Sequence, residues 1–453
     1  MEAGYIYSRD LHDNPIVQAR LAELKRTRQL EVARIGSGGD KSSPVATSPT
    51  VSRDQSFRID EVAGINAALS GAADLSSSRV TEAELLANPY ELRHGRRYLR
   101  DMPCALPCDL KETSRQSLTT LLAVTAFSGA ICAPSVVASP PLKVLEVGCG
   151  TAYWSSSCNT HFQSRGHRNV SFTGIDIAPT APDMRKHGVD WQYIQHDIRR
   201  CPWPFADGEF DLVMIKDMSL ALPLGTAGQS YIDECIRVLR EGGTLEIWES
   251  DHVLRSLPVD SPPGPGTIVR DDQAIFSTSS ATSFTAAQDR YVKQSNIWIE
   301  AALAKRNLPS KPCSEVAEVL HGLQEADKLR DSGSRRIAIP LREIPWEKEL
   351  PLGRKHNRTG TGGRAAVAKN PVRGDEAGLT PDQIAMRHTA LLIVLQKIES
   401  LEPLLKETSG KSTEEWASWW TGMMSSLLQH DGASTGECLE IGAWWATKSP
   451  TVR

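Results

Sequence analysis

Ten residues of this chain stand where chemistry could be done, and their order along the sequence says what kind. Glu146, Gly148, Cys149 and Gly150 stand together in the stretch LKVLEVGCGTAYW, Leu142 to Trp154. Asp176 closes a second apolar run, Asp197 a third, Lys216 and Asp217 a fourth, and His252 follows a fifth, next to Asp251. Two glycines directly after an apolar run let the backbone turn sharply and approach a ligand with no Cβ in the way. A helix opening from Thr151 would point its first amides into that turn. A carboxylate at a strand end can accept both hydroxyl protons of a ribose, which is the chemistry expected of Asp176. The group reads as a nucleotide-cradling strand–loop–helix. Lys216, Asp217, Asp251 and His252 gather at the ends of the later strands. His252 is the residue type suited to take a proton from a hydroxyl near neutrality; a hydrogen-bonded structural histidine is the other reading.

The elements that must position these groups follow from the apolar pattern. Leu142, Val144, Leu145 and Val147 form the near-continuous apolar run of a central strand covered on both faces. Val170–Ile175, Val189–Ile194, Phe210–Ile215 and Thr244–Trp248 read as four more strands. Before the last of these a helix carries Tyr231, Ile232, Cys235, Val238 and Leu239 on one face. Strands alternating with helices imply an α/β fold with a parallel sheet, whose ligands sit outside the carboxyl ends of the strands.

Which nucleotide is decided by what the loop lacks. A dinucleotide fingerprint has a third small residue where Tyr153 stands, and its ribose acid comes about 20 residues on, nearer than Asp176. There is no phosphate-gripping G-x-x-x-x-G-K-[ST]. E-x-G-x-G-T-A instead resembles motif I of the class I S-adenosylmethionine-dependent methyltransferases, with Ala152 in place of the third glycine. RVLREGGTLEIWE, Arg237 to Glu249, is similar to the RVLxPGG-x-hydrophobic signature before the fifth strand of these enzymes. The resemblance covers Leu142 to Glu249. It implies a Rossmann-like fold with a seven-stranded, mostly parallel sheet and an antiparallel last strand. It implies S-adenosyl-L-methionine as cofactor, cradled by Glu146, Gly148, Cys149 and Gly150. Asp176 would hold the ribose and Ile177 lie against one adenine face; Asp197 would accept from the exocyclic amine and Ile198 cover the ring.

Lys216, Asp217 and His252 are then the candidate catalytic residues. The fourth strand ends in Lys216-Asp217-Met218-Ser219, not in the [DN]-P-P-[YF] usual in amino-methylating enzymes that act on nucleobases or glutamine amides, and the Pro-Cys nucleophile of cytosine-C5 enzymes does not follow it. The double-glutamate loop of arginine methyltransferases is absent. A small-molecule acceptor remains, as does a regulatory role through protein partners. Upstream, R-R-Y followed by L-P-x-D-x-x-E-x-x-R in Asn88–Leu118 resembles the pre-core segment of a fungal methyltransferase group. That group includes the velvet-complex regulator of secondary metabolism. By this resemblance Arg97 and Tyr98 are cofactor-lid candidates, while Tyr98 packing on the core is an equal reading. Gln116-Ser117 stand where the group carries a histidine.

The rest of the chain sets bounds. A formal net charge of −4 gives no polyanion-binding signature, so no nucleic-acid partner is expected. Nine scattered cysteines read as the reduced thiols of a cytoplasmic or nuclear protein, with no metal site. Leu118–Ala138 is uncharged and about a membrane span long, but Gly129 and Pro134 interrupt it. A buried helix plus linker is expected there, and no membrane partner. Residues 1–80 read as a disordered arm with one short charged helix from Asn14-Pro15, solvated or docking a protein partner. Residues 81–140 read as a helical lead and cofactor lid, and 141–255 as the cofactor-binding core. Residues 256–347 read as a loop (substrate lid or plain surface), a helix and a late strand from Arg335 to Leu341, and 348–380 as a mobile insertion. Residues 381–453 complete the sheet. They hold a long helix with Leu391, Leu392, Val394, Leu395, Ile398 and Leu401 on its buried side, a helix bearing Trp416, Trp419 and Trp420, and a last strand Leu439–Trp445 at the edge.

Overall fold

The computed structural model describes residues 81–224, 228–259, 275–279, 282, 284–349, 379–428 and 435–450, with the backbone of 269–270. The arm expected over residues 1–80 lies outside the described residues, as does most of the insertion expected over 348–380.

The lead segment is less helical than its sequence suggests. After helix α1 (Glu82–Ala87), closed by a Thr81/Glu84 capping box, comes the antiparallel hairpin β1 (Tyr90–Arg93) and β2 (Arg96–Leu99). Helix α2 (Leu110–Ala126) begins eight residues before the apolar stretch, because Asp109 caps it by accepting from the Glu112 amide at 3.1 Å. A short α3 (Pro134–Ala138) follows.

Then the strand–helix alternation sets in: β3 (Lys143–Val147), α4 (Tyr153–Gln163), β4 (Ser171–Asp176), β5 (Asp190–Gln195), β6 (Phe210–Lys216), α5 (Gln229–Val238) and β7 (Leu239–Ser250). The five strands lie in the order β5-β4-β3-β6-β7, all parallel. Short strands β8 (Arg255–Ser256), β9 (Val269–Arg270), β10 (Phe276–Thr278) and β11 (Thr285–Ala286) occupy the stretch read as loop. Helices α6 (Arg290–Ala304) and α7 (Pro312–Glu325), then strand β12 (Leu329–Pro340), lead to α8 (Pro381–Ser400), α9 (Glu402–Ser409), α10 (Thr413–Leu428) and β13 (Glu437–Lys448).

β13 enters antiparallel between β7 and β12, giving β5-β4-β3-β6-β7-β13-β12 as the seven-stranded core. This is the Rossmann-like methyltransferase topology, mostly parallel with an antiparallel last strand. The last strand is therefore not an edge strand; β12, and beyond it β10 and β9, take that place. The reason is in its composition: every residue from Glu437 to Trp444 is buried, and a strand covered on both faces belongs inside the sheet. The tryptophan-bearing helix packs its rings on α6, with Trp416, Trp419 and Trp298 in mutual contact at 4.8–6.1 Å, so the cluster is core.

One buried acid ties the lead segment to this sheet. Glu246 in β7 accepts from the Cys132 amide at 2.8 Å, the Ala133 amide at 3.1 Å and Trp248 Nε1 at 2.7 Å, while burial pushes its carboxyl up to about 7. Glu246→Ala strands all three donors. At about 1–3 kcal/mol for each unsatisfied buried group, the loss is about 3 kcal/mol or more. Thermal denaturation should show a melting temperature lower by about 6–12 °C for a fold of this size. A shift under about 2 °C would show that the donors find other partners.

Candidate functional site

The turn after β3 is built from left-handed backbone. Gly148 has φ +64°, Gly150 φ +49° and Ala152 φ +55°, so the third glycine of the motif is replaced here by an alanine in a conformation glycine favours. The Gly148 amide donates to the Ile175 carbonyl at 2.9 Å, locking the turn to the end of β4. A Cβ on Gly148 would lie 2.3 Å from Met218 Sδ, so the space beside it is already filled from the β6 side.

Asp176, ending β4, accepts from the Gly150 amide at 2.8 Å and from the Ala178 amide at 3.0 Å; burial raises its carboxyl. Glu146 is 3% exposed and accepts from Ser155 Oγ at 2.6 Å, fastening the first turn of α4 to β3, and burial pushes its carboxyl up to about 7. Cys149 is buried beside Trp191, where a Cβ on Gly174 would meet both, and its thiol is raised well above the ordinary range by burial. Ile177 and Ile198 are buried at the ends of β4 and β5. Burial pushes the Asp197 carboxyl up, but Arg199, bonded to both its oxygens, outweighs that and holds it below the usual range.

These residues share one cleft of about 1360 Å³, counting its open mouth, with Lys216, Asp217 and His252. Lys216 Nζ donates to Asp217 Oδ2 at 2.5 Å, and Asp217 itself sits at φ +53°. His252 is 5% exposed; its Nε2 is 2.9 Å from Ser219 Oγ, and its Nδ1 has no partner among the described residues. Burial, with Lys397 and Arg115 nearby, holds the imidazole neutral, well below its usual titration range. Glu249 in β7 accepts from the Met218 and Ser219 amides and from Ser219 Oγ at 2.7 Å, fixing the turn that carries Ser219 to His252. Burial and the Asp217 charge push the Glu249 carboxyl up to about 8.

Of the residues expected at the site, Arg97, Tyr98 and Asp251 are outside the cleft lining. Tyr98 is 5% exposed with the Arg93 guanidinium 4.4 Å over its ring, while Arg97 lies over Tyr90 and donates to the Cys108 carbonyl. From this segment Leu99, Met102, Cys104, Leu106, Pro107 and Cys108 face the cleft instead. Sequence reasoning missed the second wall: Arg115, Gln116 and Thr120 from α2, and Lys397 from α8. The signal was present. Asp109, Glu112 and Arg115 recur at helical spacing, and Lys397 interrupts the apolar stripe of Leu391, Val394, Ile398 and Leu401. A further buried cluster, Asp251, Cys313 and Glu440, brings its ligand atoms within 4.8 Å, but Arg255 and Arg336 both pair with Glu440 there.

Residues 144–243 match the family model described as a methyltransferase domain. Mitochondrial citrate synthase-lysine N-methyltransferases are similar to this chain. The Pongo abelii protein is 31% identical over 126 residues, 24% of this chain and 51% of that protein. The human one is 30% identical over 126 residues with the same coverage, 24% and 51%. The chain thus spans about half the length of the curated relatives it matches. Among solved structures, phosphoethanolamine N-methyltransferase 2 of Haemonchus contortus is similar at 13% identity and a TM-score of 0.33, over 75% of this chain and 59% of that one.

Proposed function

We propose that this chain, whose residues 144–243 form a class I S-adenosylmethionine-dependent methyltransferase domain, transfers a methyl group from S-adenosyl-L-methionine to a small-molecule acceptor. The observation that carries the reading is that the site residues share one cleft. It joins a glycine turn and strand-end acid suited to a nucleoside with a second, buried polar wall from α2, β7 and α8.

The residues fit the cofactor. A side chain on Gly148 would meet Met218, Asp176 is held by the Gly150 amide where it would meet a ribose, and Ile177 and Ile198 offer apolar faces for a base. S-adenosyl-L-methionine supplies, when bound, a methyl carbon activated by its sulfonium. What the chain adds is position and exclusion of water. Sheet order puts the end of β7, with His252, three strand spacings from Asp176, about 14 Å. That separation leaves a nucleoside and an acceptor room end to end. Arg115, His252 and Lys397 are each less than a tenth exposed, which favours an acceptor that enters the cleft whole. The similarity to citrate synthase-lysine N-methyltransferases supports a second reading, methylation of a protein lysine. The R-R-Y and L-P-x-D-x-x-E-x-x-R segment supports membership of the fungal secondary-metabolism group, with a cytoplasmic or nuclear place and a regulatory role as the alternative to turnover.

Two measurements test this. Isothermal titration should show S-adenosyl-L-methionine binding, weakened at least about tenfold in Asp176→Ala, which removes charged hydrogen bonds to the ribose at about 1.5–3 kcal/mol each. Incubation with methyl-labelled cofactor and fractionated extract should place label in the small-molecule fraction. Label confined to a protein band would favour the lysine reading, and binding of NAD instead of S-adenosyl-L-methionine would sink both.

A further inference from the structure

Lys397 is the group in the cleft whose charge no carboxylate among the described residues answers. It projects from the apolar stripe of α8 and is 4% exposed. Its Nζ donates to the Asp251 carbonyl at 3.0 Å, and an ammonium has three protons to place. The carboxylates around it are engaged elsewhere. Asp217 is taken by Lys216, and Asp251 by the Cys313 amide at 3.1 Å and by Arg255 at 3.4 Å. Arg115, facing it from α2, differs: Glu112 on the same helix answers its charge, and Thr119 takes another of its protons. A buried ammonium with one carbonyl partner is costly, and an alkyl side chain would suit that helix stripe better. The cost makes sense where an anion completes the site. Beside it, His252 Nδ1 is also buried and unpartnered among the described residues, so two polar groups on one wall await a guest.

We infer that Lys397 docks an oxyanion of the acceptor, so the molecule methylated here carries a carboxylate or a comparably acidic oxygen. This deepens the small-molecule reading and rests on it. The other charges around Lys397 do not compete for the role. Lys216 is ion-paired with Asp217 and Arg115 with Glu112. The groups facing its ammonium are Arg115 of α2, Asp217 after β6, Asp251 and the neutral His252 after β7, and Cys313 of α7. Burial first, then Arg115, hold the ammonium down to about 8, against Asp217, Asp251 and Cys313. The cation is therefore present below about pH 8, and anion docking weakens as pH rises through that value.

The test uses the full-length protein saturated with S-adenosylhomocysteine and two isosteric probes, benzoate and benzamide, titrated calorimetrically at pH 7 and pH 9. Wild type should prefer benzoate at least about tenfold at pH 7 and lose most of that preference at pH 9. Lys397→Met should abolish the preference at both values, while Lys397→Arg, which stays charged, should keep it at pH 9. Equal binding of the two probes to wild type, or a preference that survives Lys397→Met, overturns the inference. S-adenosylhomocysteine affinity is read in the same titrations and shows whether each variant is folded. Normal affinity without benzoate preference sinks this inference alone; no affinity in the wild type sinks it together with the function it rests on. The pH arm needs no variant, so a misfolded Lys397→Met would still leave a decisive result.

Discussion

Gly148→Arg will bind S-adenosyl-L-methionine at least about 100-fold more weakly than wild type, a loss of about 2.7 kcal/mol or more. Two effects add. At φ +64° any side chain costs about 1–2 kcal/mol of backbone strain. The first carbon of that side chain would also lie 2.3 Å from Met218 Sδ and 2.8 Å from its Cε, closer than atoms can approach. The Met218 side chain must rotate away, because its amide and that of Ser219 are held by the buried Glu249 at 2.8 and 3.0 Å and the turn itself cannot retreat. The remaining direction for a guanidinium is into the cleft, where the ligand goes. Gly148→Ala should show the strain and the clash without filling the cleft, and so lose less. Calorimetric titration measures both, with thermal melts to confirm that each variant folds. Binding by Gly148→Arg within a few-fold of wild type would mean that the ligand does not approach this turn.

The half of the site made by single strand ends was legible because chemistry and position coincide in the sequence there. Glu146 to Gly150, Asp176, Asp197 and Lys216-Asp217 each stand at or within three residues of the end of an apolar run, and parallel strands bring their carboxyl ends to one edge. The half made by tertiary packing was not legible. Lys397 is far from this edge in sequence and reaches it because α8 docks along α2, through Lys111–Glu399, and against β2, through Arg96–Ser400. Nothing local to α8 says which helix it will meet. The hairpin β1–β2 was hidden for a related reason. Its arginines pair with its own tyrosines, Arg93 over Tyr98 and Arg97 over Tyr90 at 4.4 Å, so it shows polar and aromatic residues mixed instead of the alternation that marks a strand. Ser219 and Glu249 escaped notice because their role is to hold His252 and the turn before it, and a residue that positions another has no motif of its own.

The placement of the last strand sharpens what should follow from shortening the chain. A protein ending at Glu407 will be insoluble or will lack fixed tertiary structure. The cut removes α10 and β13, and β13 pairs with β7 from Thr447↔Thr244 to Ile441↔Ser250 and with β12 from Lys448↔Leu329 to Cys438↔Pro340. Its loss separates β12, β10 and β9 from the parallel strands, leaving two open edges inside what was one sheet. Trp416, Trp419, Met423, Leu427, Leu439, Ile441 and Trp444 are all buried, and at about 1.5–3 kcal/mol for each large apolar side chain their removal forfeits about 10–20 kcal/mol. The net stability of a domain is about 5–15 kcal/mol, so the deficit is of the same size as everything that holds the fold. Near-ultraviolet circular dichroism and dye binding would register the loss of packing even if some protein stays in solution. A shortened protein that is soluble, melts cooperatively and still binds S-adenosyl-L-methionine would show that the sheet closes without β13. The wall carrying Lys397 would then owe nothing to the strand that follows it.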